Sequence, residues 1–135
     1  MDKIVVDTNI IFSLLRSGNL HTRKVFFDEK YTFYAPKFIV VELFEHKERI
    51  VEKAKISHEE VYELLDNLLQ RIRFVDNRFI STFNYYKAFQ LCKGIDENDT
   101  PFVALSLELN ARFWTNDDTL KLGLISRGFD AFFDK

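Results

Sequence analysis

Ile4-Val5-Val6-Asp7-Thr8-Asn9 is the stretch on which the fold turns. Three consecutive aliphatic residues with no polar alternation form the pattern of a central parallel strand buried on both faces, and the chain becomes polar at Asp7. A carboxylate at the end of such a strand is costly unless it is hydrogen-bonded, paired or bound to metal. Outward from this strand, helical stretches are expected over residues 9–17 and 20–28. Tyr31-Thr32-Phe33-Tyr34-Ala35 is rich in strand formers and stops at Pro36. From Lys37 to about Val51, the residues Val40, Leu43, Phe44 and Val51 recur at helical spacing, so a helix carries Glu42. Ser57-His58-Glu59-Glu60 is a capping box ahead of the periodic residues Val61, Leu64, Leu65, Leu68, Leu69 and Ile72.

The second half continues the alternation. Phe74-Val75 reads as a short strand, and residues 78–92 as a helix ended near Gly94. Asp99-Thr100-Pro101 opens a helix running to about Asn110, since aspartate caps well and proline is tolerated in a first turn. Arg112-Phe113-Trp114-Thr115 is a strand, and Asn116-Asp117-Asp118 turns into a helix ending between Gly123 and Gly128. Phe129 to Phe133 is expected as a last edge strand. Strand and helix alternate throughout, which predicts an α/β fold: a single three-layer domain over residues 1–135 with a mainly parallel central sheet. Ligands of such folds sit outside the carboxyl ends of the strands.

The bulk composition sets further bounds. A length of 135 residues suits one hydrophobic core, and 47% hydrophobic with 30% charged residues is a globular composition. The fifteen phenylalanines fall mostly among other apolar residues, so they are read as core rather than as a platform for bases. Cys92 stands alone, which excludes an intramolecular disulfide and a cysteine-based zinc site and suits a reducing compartment. His21, His46 and His58 lack zinc-like spacing, and no glycine-rich phosphate loop follows the first strand. With no basic-then-apolar leader and no apolar run of bilayer length, a cytoplasmic protein without membrane association is expected. A net charge of -2 is no broad nucleic-acid footprint, so a polyanion would have to be held by a local basic rim and a cation.

The acidic residues point to the chemistry. Asp7 follows the first strand directly, and Asp117 comes two residues after Thr115 at the end of another. Glu42 and Asp99, each near the start of a helix, can reach the same edge. Two unpaired carboxylates about 4 Å apart repel by roughly 4 kcal/mol at an effective dielectric near 20, so three or four together demand a cation. Oxygen ligands without cysteine favour Mg2+ or Mn2+ over zinc, and phosphodiester hydrolysis is the natural reaction of such a centre. Taken singly, each acid also has an ordinary structural role. Asp99, Asp117 or Asp118 can cap a helix, Asp96 can belong to a polar loop, and Glu42 can be a solvated helix carboxylate beside Glu45 and His46.

These marks, in this order, resemble the PIN-domain nucleases from Lys3 nearly to the end of the chain. Ile4-Val5-Val6-Asp7-Thr8-Asn9 is similar to the family's opening strand and first acid, and Val41-Glu42-Leu43 to its helical glutamate. Asp99-Thr100-Pro101-Phe102-Val103-Ala104-Leu105 followed by Phe113-Trp114-Thr115-Asn116-Asp117 is similar to the third acid heading a helix and the strand ending Thr-x-Asp. The resemblance implies that Asp7, Asp99 and Asp117 hold the divalent ion, directly or through water. Glu42 would complete the pocket and help place the attacking water, while Thr8, Asn9 and Thr115 support these acids from behind. Asp96 and Asp118 rank second, as neighbours that could replace Asp99 and Asp117. The implied activity is endonucleolytic cleavage of RNA leaving a 5' phosphate. A stand-alone domain of this size resembles the VapC-type toxins, which implies a small antitoxin partner and a homodimer.

Two other classes compete. An aspartate-nucleophile phosphatase also needs a strand-end aspartate, but its second aspartate would fall where Asn9 stands, and a phosphoryl receiver needs paired acids that are absent before the first strand ends. A PIN-like module that holds RNA or a protein without cutting is the other reading. Basic residues such as Arg16, Arg23, Lys24, Lys47, Arg49 and Lys53 would serve a phosphate backbone in either case.

Overall fold

In the computed structural model, which describes residues 2–134, four strands form one all-parallel sheet in the order β3-β2-β1-β4. The strands are β1 (Asp2–Val6), β2 (Tyr31–Pro36), β3 (Ile72–Val75) and β4 (Arg112–Trp114). Helices α1 (Thr8–Ser17) and α2 (Leu20–Phe26) join β1 to β2, and α3 (Phe38–Lys53) and α4 (His58–Arg71) join β2 to β3. Helices α5 (Thr82–Cys92) and α6 (Thr100–Leu109) lead to β4, and α7 (Asp118–Ser126) follows it. The α/β reading and its parallel sheet hold, and the sheet is wholly rather than mainly parallel.

The strand order places the site. The chain lays β1, β2 and β3 side by side in one direction and then returns to set β4 on the other flank of β1. Right-handed crossovers on both legs put α1 to α4 on one face of the sheet and α5 with α6 on the other. Accordingly α1 packs on α3 and α4, whereas α6 packs on β1, β2 and β4 and is covered by α5. Between β1 and β4 the direction of winding reverses, which opens a crevice at the carboxyl ends of those two strands. Asp7 and Thr115 are the first residues past them.

Burial explains why these segments occupy these layers. Ile4, Val5 and Val6 are fully buried, as a central strand with helices on both faces requires. Phe102, Val103, Ala104 and Leu105 are all buried too, because α6 lies between the sheet and α5. Phe26, Phe33 and Trp114 cluster with ring centroids 4.8 to 6.0 Å apart, so the aromatic core is concentrated under β2 and β4. Arg71, at the end of α4, donates to the carbonyls of Phe26, Asp28 and Tyr31 at 2.6, 2.6 and 2.7 Å and fixes the entry into β2.

Two local expectations differ from the structure. The helix expected over residues 78–92 is split: Asn77–Phe79 is a short 3-10 turn, and Ser81 then caps α5 by accepting from the amide of Asn84. Glu108 accepts from the amide of Ser81 at 2.7 Å and holds that break against α6. The expected edge strand at 129–133 reduces to a single parallel bridge between Phe113 and Phe132. There the amide of Phe132 turns back to the carbonyl of Asp130, and Phe129 and Phe133 are buried as side chains rather than by a ladder. No described helix is long and apolar enough to cross a membrane.

Candidate active site

Asp7 is held by both strands that flank the crevice. Its amide donates to the carbonyl of Trp114 at 2.9 Å, extending the β1–β4 ladder by one residue. Its carboxylate accepts from the Thr115 hydroxyl at 2.6 Å, and the side chains of both residues are buried. The same hydroxyl accepts from the amide of Asp117 at 3.1 Å. Thr115 thereby ties the acid after β1 to the acid after β4 through one oxygen. Asp117 also caps α7, accepting from the amide of Leu120 at 3.0 Å, the ordinary structural role open to it from sequence.

The remaining acids arrive from the loop between α5 and α6. Gly94, with φ of 80°, and a turn that returns the amides of Ile95 and Asp96 to the carbonyl of Cys92 reverse the chain after α5. Glu97–Asp99 is a 3-10 turn, in which residues three apart eclipse, and this sets Asp96 and Asp99 on one side. Asp96 accepts from the amide of Asn98, whereas the Asp99 carboxylate makes no capping bond to α6 and is left facing the crevice. Arg127, past the end of α7, donates to the carbonyls of Leu91 and Lys93 at 2.8 and 2.6 Å, pinning α5 at the base of the loop. Gly123 of α7 leaves room for Ile95, since a Cβ there would lie 2.5 Å from its Cδ1.

Among the described residues, Asp96, Asp99 and Asp117 bring a carboxylate oxygen each within 4.8 Å of one another. The trio thus contains Asp96, ranked second from sequence, in the place expected for Asp7. Asp7 stands just outside it, with one oxygen engaged by Thr115. Its charge nevertheless bears on the trio: burial pushes the Asp99 carboxyl up to about 8, and Asp7 adds more repulsion than Asp96 or Asp117. Burial also raises Asp7 itself, opposed by Thr115 and the amides of Asn9 and Thr8. Four acids therefore share one field, and among the described residues no basic side chain pairs with Asp7 or Asp99.

Glu42 lies in the second turn of α3, half-buried, with no ion pair or side-chain hydrogen bond among the described residues and outside the trio. Asp118 is exposed in the first turn of α7. Thr8 begins α1, and Asn9 lines a groove on the surface beside it.

The trio fits a hard divalent cation. At ligand distances of roughly 2.0–2.6 Å, oxygens on opposite sides of one ion lie about 4–5 Å apart, and the three oxygens here all lie within 4.8 Å of one another. An acid held up to about 8 also marks a place where ionised carboxylates lack a counter-charge.

The profile of the PIN domain matches residues 5–131. The chain belongs to the PIN domain family. No curated protein sequence matches it significantly. Among solved structures, this PIN domain is similar to a chain of the crystal structure of VapBC2 from Rickettsia felis bound to a DNA fragment from their promoter. The two share 21% identity with a TM-score of 0.62, over 89% of this chain and 92% of the other. That likeness is one of fold. Within it, the sequence reading takes Asp7, Asp99 and Asp117 as the ion-holding acids with Asp96 as an alternative; the structure brings Asp96, Asp99 and Asp117 together with Asp7 beside them, and Arg127, given no part in that reading, clamps the end of α5. The three-residue spacing of Asp96 and Asp99 was the available signal for Asp96; a long-range arginine clamp leaves none.

Proposed function

We propose that this PIN domain is a divalent-metal-dependent endoribonuclease of the VapC type, the toxin of a toxin–antitoxin pair, acting in the cytoplasm. The observation that carries the reading is the meeting of Asp7, Asp96, Asp99 and Asp117 at the switch point of a parallel sheet in a chain of this family. Asp96, Asp99 and Asp117 would hold Mg2+ or Mn2+, with Asp7 reaching it directly or through water. The ion would supply neutralisation of phosphate oxygens and a lowered pKa for attacking water. Thr115 orients Asp7 and Asp117 together, and Asp99, whose proton is retained by burial and by its acidic neighbours, would have to release that proton to serve as a ligand. Glu42, on α3, would help place that water.

A protein partner is supported by exposed apolar side chains on two helix faces. Val41 and Phe44 stand out from α3 and Phe83 and Tyr86 from α5, each more than half exposed. One such face would serve a small antitoxin, the other a second copy in a homodimer.

The test is cleavage of a single-stranded RNA pool in Mn2+, Mg2+ or EDTA by the native chain and by Asp7→Asn and Asp99→Asn. Metal-dependent cutting that both substitutions abolish, with products carrying 5' phosphates, is expected. RNA binding without cutting in any metal would replace the nuclease by a binding module.

A further inference from the structure

The surface beside the acidic centre carries a groove of about 290 Å3 lined by Asn9, Phe12 and Arg16 of α1 and His46, Arg49 and Lys53 of α3, with Ile50 at its base. Both helices leave parallel strands at the same sheet edge, so both run away from the acidic crevice. Asn9, Phe12 and Arg16 follow helical spacing down one side, beginning two residues after Asp7. Glu42, His46, Arg49 and Lys53 follow it down the other, which sets Glu42 on the same face at the crevice end. The groove therefore starts at the proposed catalytic acids and continues into a second basic hollow that shares Arg16 and Lys53 and adds Lys55.

The cations of the groove are open to a ligand, as several exposed cations elsewhere, Arg73 and Lys87 among them, also are. Arg23, Arg78 and Arg112 are paired with carboxylates, and Arg71 and Arg127 with backbone carbonyls. Arg16, Arg49 and Lys53 form no ion pair among the described residues. Between them Phe12 and His46 meet edge to face, with ring centroids 6.1 Å apart. Cations without carboxylate partners, interleaved with rings along one groove, match a single-stranded polynucleotide: phosphates on the cations and an unstacked base against a ring.

We propose that the groove between α1 and α3 is the backbone-binding subsite for single-stranded RNA, with Arg16, Arg49 and Lys53 on successive phosphates and Phe12 against a base. It rests on the ribonuclease reading for the direction of the strand, which runs from the acidic crevice toward Lys53. Binding itself requires no catalysis and is measured separately from it.

The experiment is fluorescence anisotropy of a labelled single-stranded RNA of mixed sequence, in EDTA, across a salt series. The native chain is compared with the triple variant Arg16→Gln, Arg49→Gln, Lys53→Gln and with a charge-matched control, Lys3→Gln, Arg73→Gln, Lys87→Gln, at exposed positions outside the groove. Each phosphate contact on a single strand contributes about 0.7 to the slope of log affinity against log salt, so the groove triple is expected to lower the slope by about 2 and affinity by at least about tenfold. The control is expected to leave both near native values. Phe12→Ala is expected to weaken binding with the slope unchanged, its fold checked by thermal melting. Equal losses in the two triples, an unchanged groove triple, or no RNA binding by the native chain would overturn the proposal. Groove-dependent binding without cleavage in Mn2+ would sink the nuclease reading and leave the groove; cleavage unaffected by the groove triple would do the reverse.

Discussion

Replacing Thr115 by valine keeps the β-branched shape beside β4 but removes the one oxygen that joins Asp7 to Asp117. The hydroxyl donates to the buried Asp7 carboxylate at 2.6 Å and accepts from the amide of Asp117 at 3.1 Å. A hydrogen bond to a charged group is worth about 1.5–3 kcal/mol and one to a neutral amide about 1 kcal/mol, so the loss is roughly 2–4 kcal/mol when Asp7 is ionised. The sign with pH follows from the direction of the Asp7 shift. Its pKa is already raised by burial, and the Thr115 bond opposes that rise. Without it the folded-state value climbs further, so the destabilisation grows as pH rises through the Asp7 titration and shrinks where Asp7 is protonated in both proteins. Urea unfolding in EDTA from pH 4 to 8 measures this. Calorimetric titration with Mn2+ is expected to show affinity weakened about 10–100-fold, the usual effect of losing a residue that orients a metal ligand. Thr115→Ser keeps the hydroxyl and should recover most of the affinity. Native affinity and a pH-independent stability change in Thr115→Val would refute the linkage between the two acids.

Three further outcomes are expected. In EDTA, the stability contributed by Asp99 is fully present below its unfolded value near 3.8 and lost as pH rises through its folded value of about 8. Melting temperature should therefore fall across that window, and Asp99→Asn should flatten the fall; Mn2+ binding should release protons, read as a buffer-dependent heat. Arg71→Lys cannot reproduce three bonds from one planar fork to the carbonyls of Phe26, Asp28 and Tyr31, and should cost about 2–3 kcal/mol in urea unfolding with little change in Mn2+ affinity. Glu42→Gln touches no partner among the described residues, so stability should move by less than about 0.5 kcal/mol while RNA cleavage falls at least about tenfold; unchanged cleavage would remove Glu42 from the proposed machinery.

Much of the fold was legible because its signals are local. The apolar run Ile4-Val5-Val6, the Ser57 cap and the periodic leucines of α4 each specify an element without reference to distant residues. The strand-end position of Asp7 likewise follows from a local pattern, and the parallel topology then dictates that Asp117 arrives beside it. What escaped depends on contacts far apart in sequence. The break before α5 is held by Glu108, 27 residues on, and the α5 terminus by Arg127 more than 30 residues on. That Asp96 lies beside Asp99 and Asp117 was not legible, because the sequence of a polar loop does not show which way the turn after Gly94 folds it. The last segment misled because aromatic alternation at Phe129 and Phe133 serves burial of rings, which resembles a strand in sequence.

The distribution of charge resolves the tension between a net charge of -2 and the proposed polyanionic substrate. A carboxylate cluster alone would repel RNA, and a uniformly basic surface would hold it without positioning a bond for cleavage. Here the clustered acids lie in the crevice between β1 and β4, while the unpaired cations of the groove lie farther along it, Arg16 in the last turn of α1 and Lys53 in the last turn of α3. A cation in the crevice would convert its repulsion into attraction at one phosphate, with the groove holding the neighbouring phosphates whether or not the crevice is filled. The consequence is a separable dependence: salt should weaken binding through the groove, whereas removal of metal should abolish cleavage with a much smaller effect on binding. A chain in which EDTA eliminated RNA binding altogether at low salt would contradict this division, because the groove cations make no contact that a metal could govern.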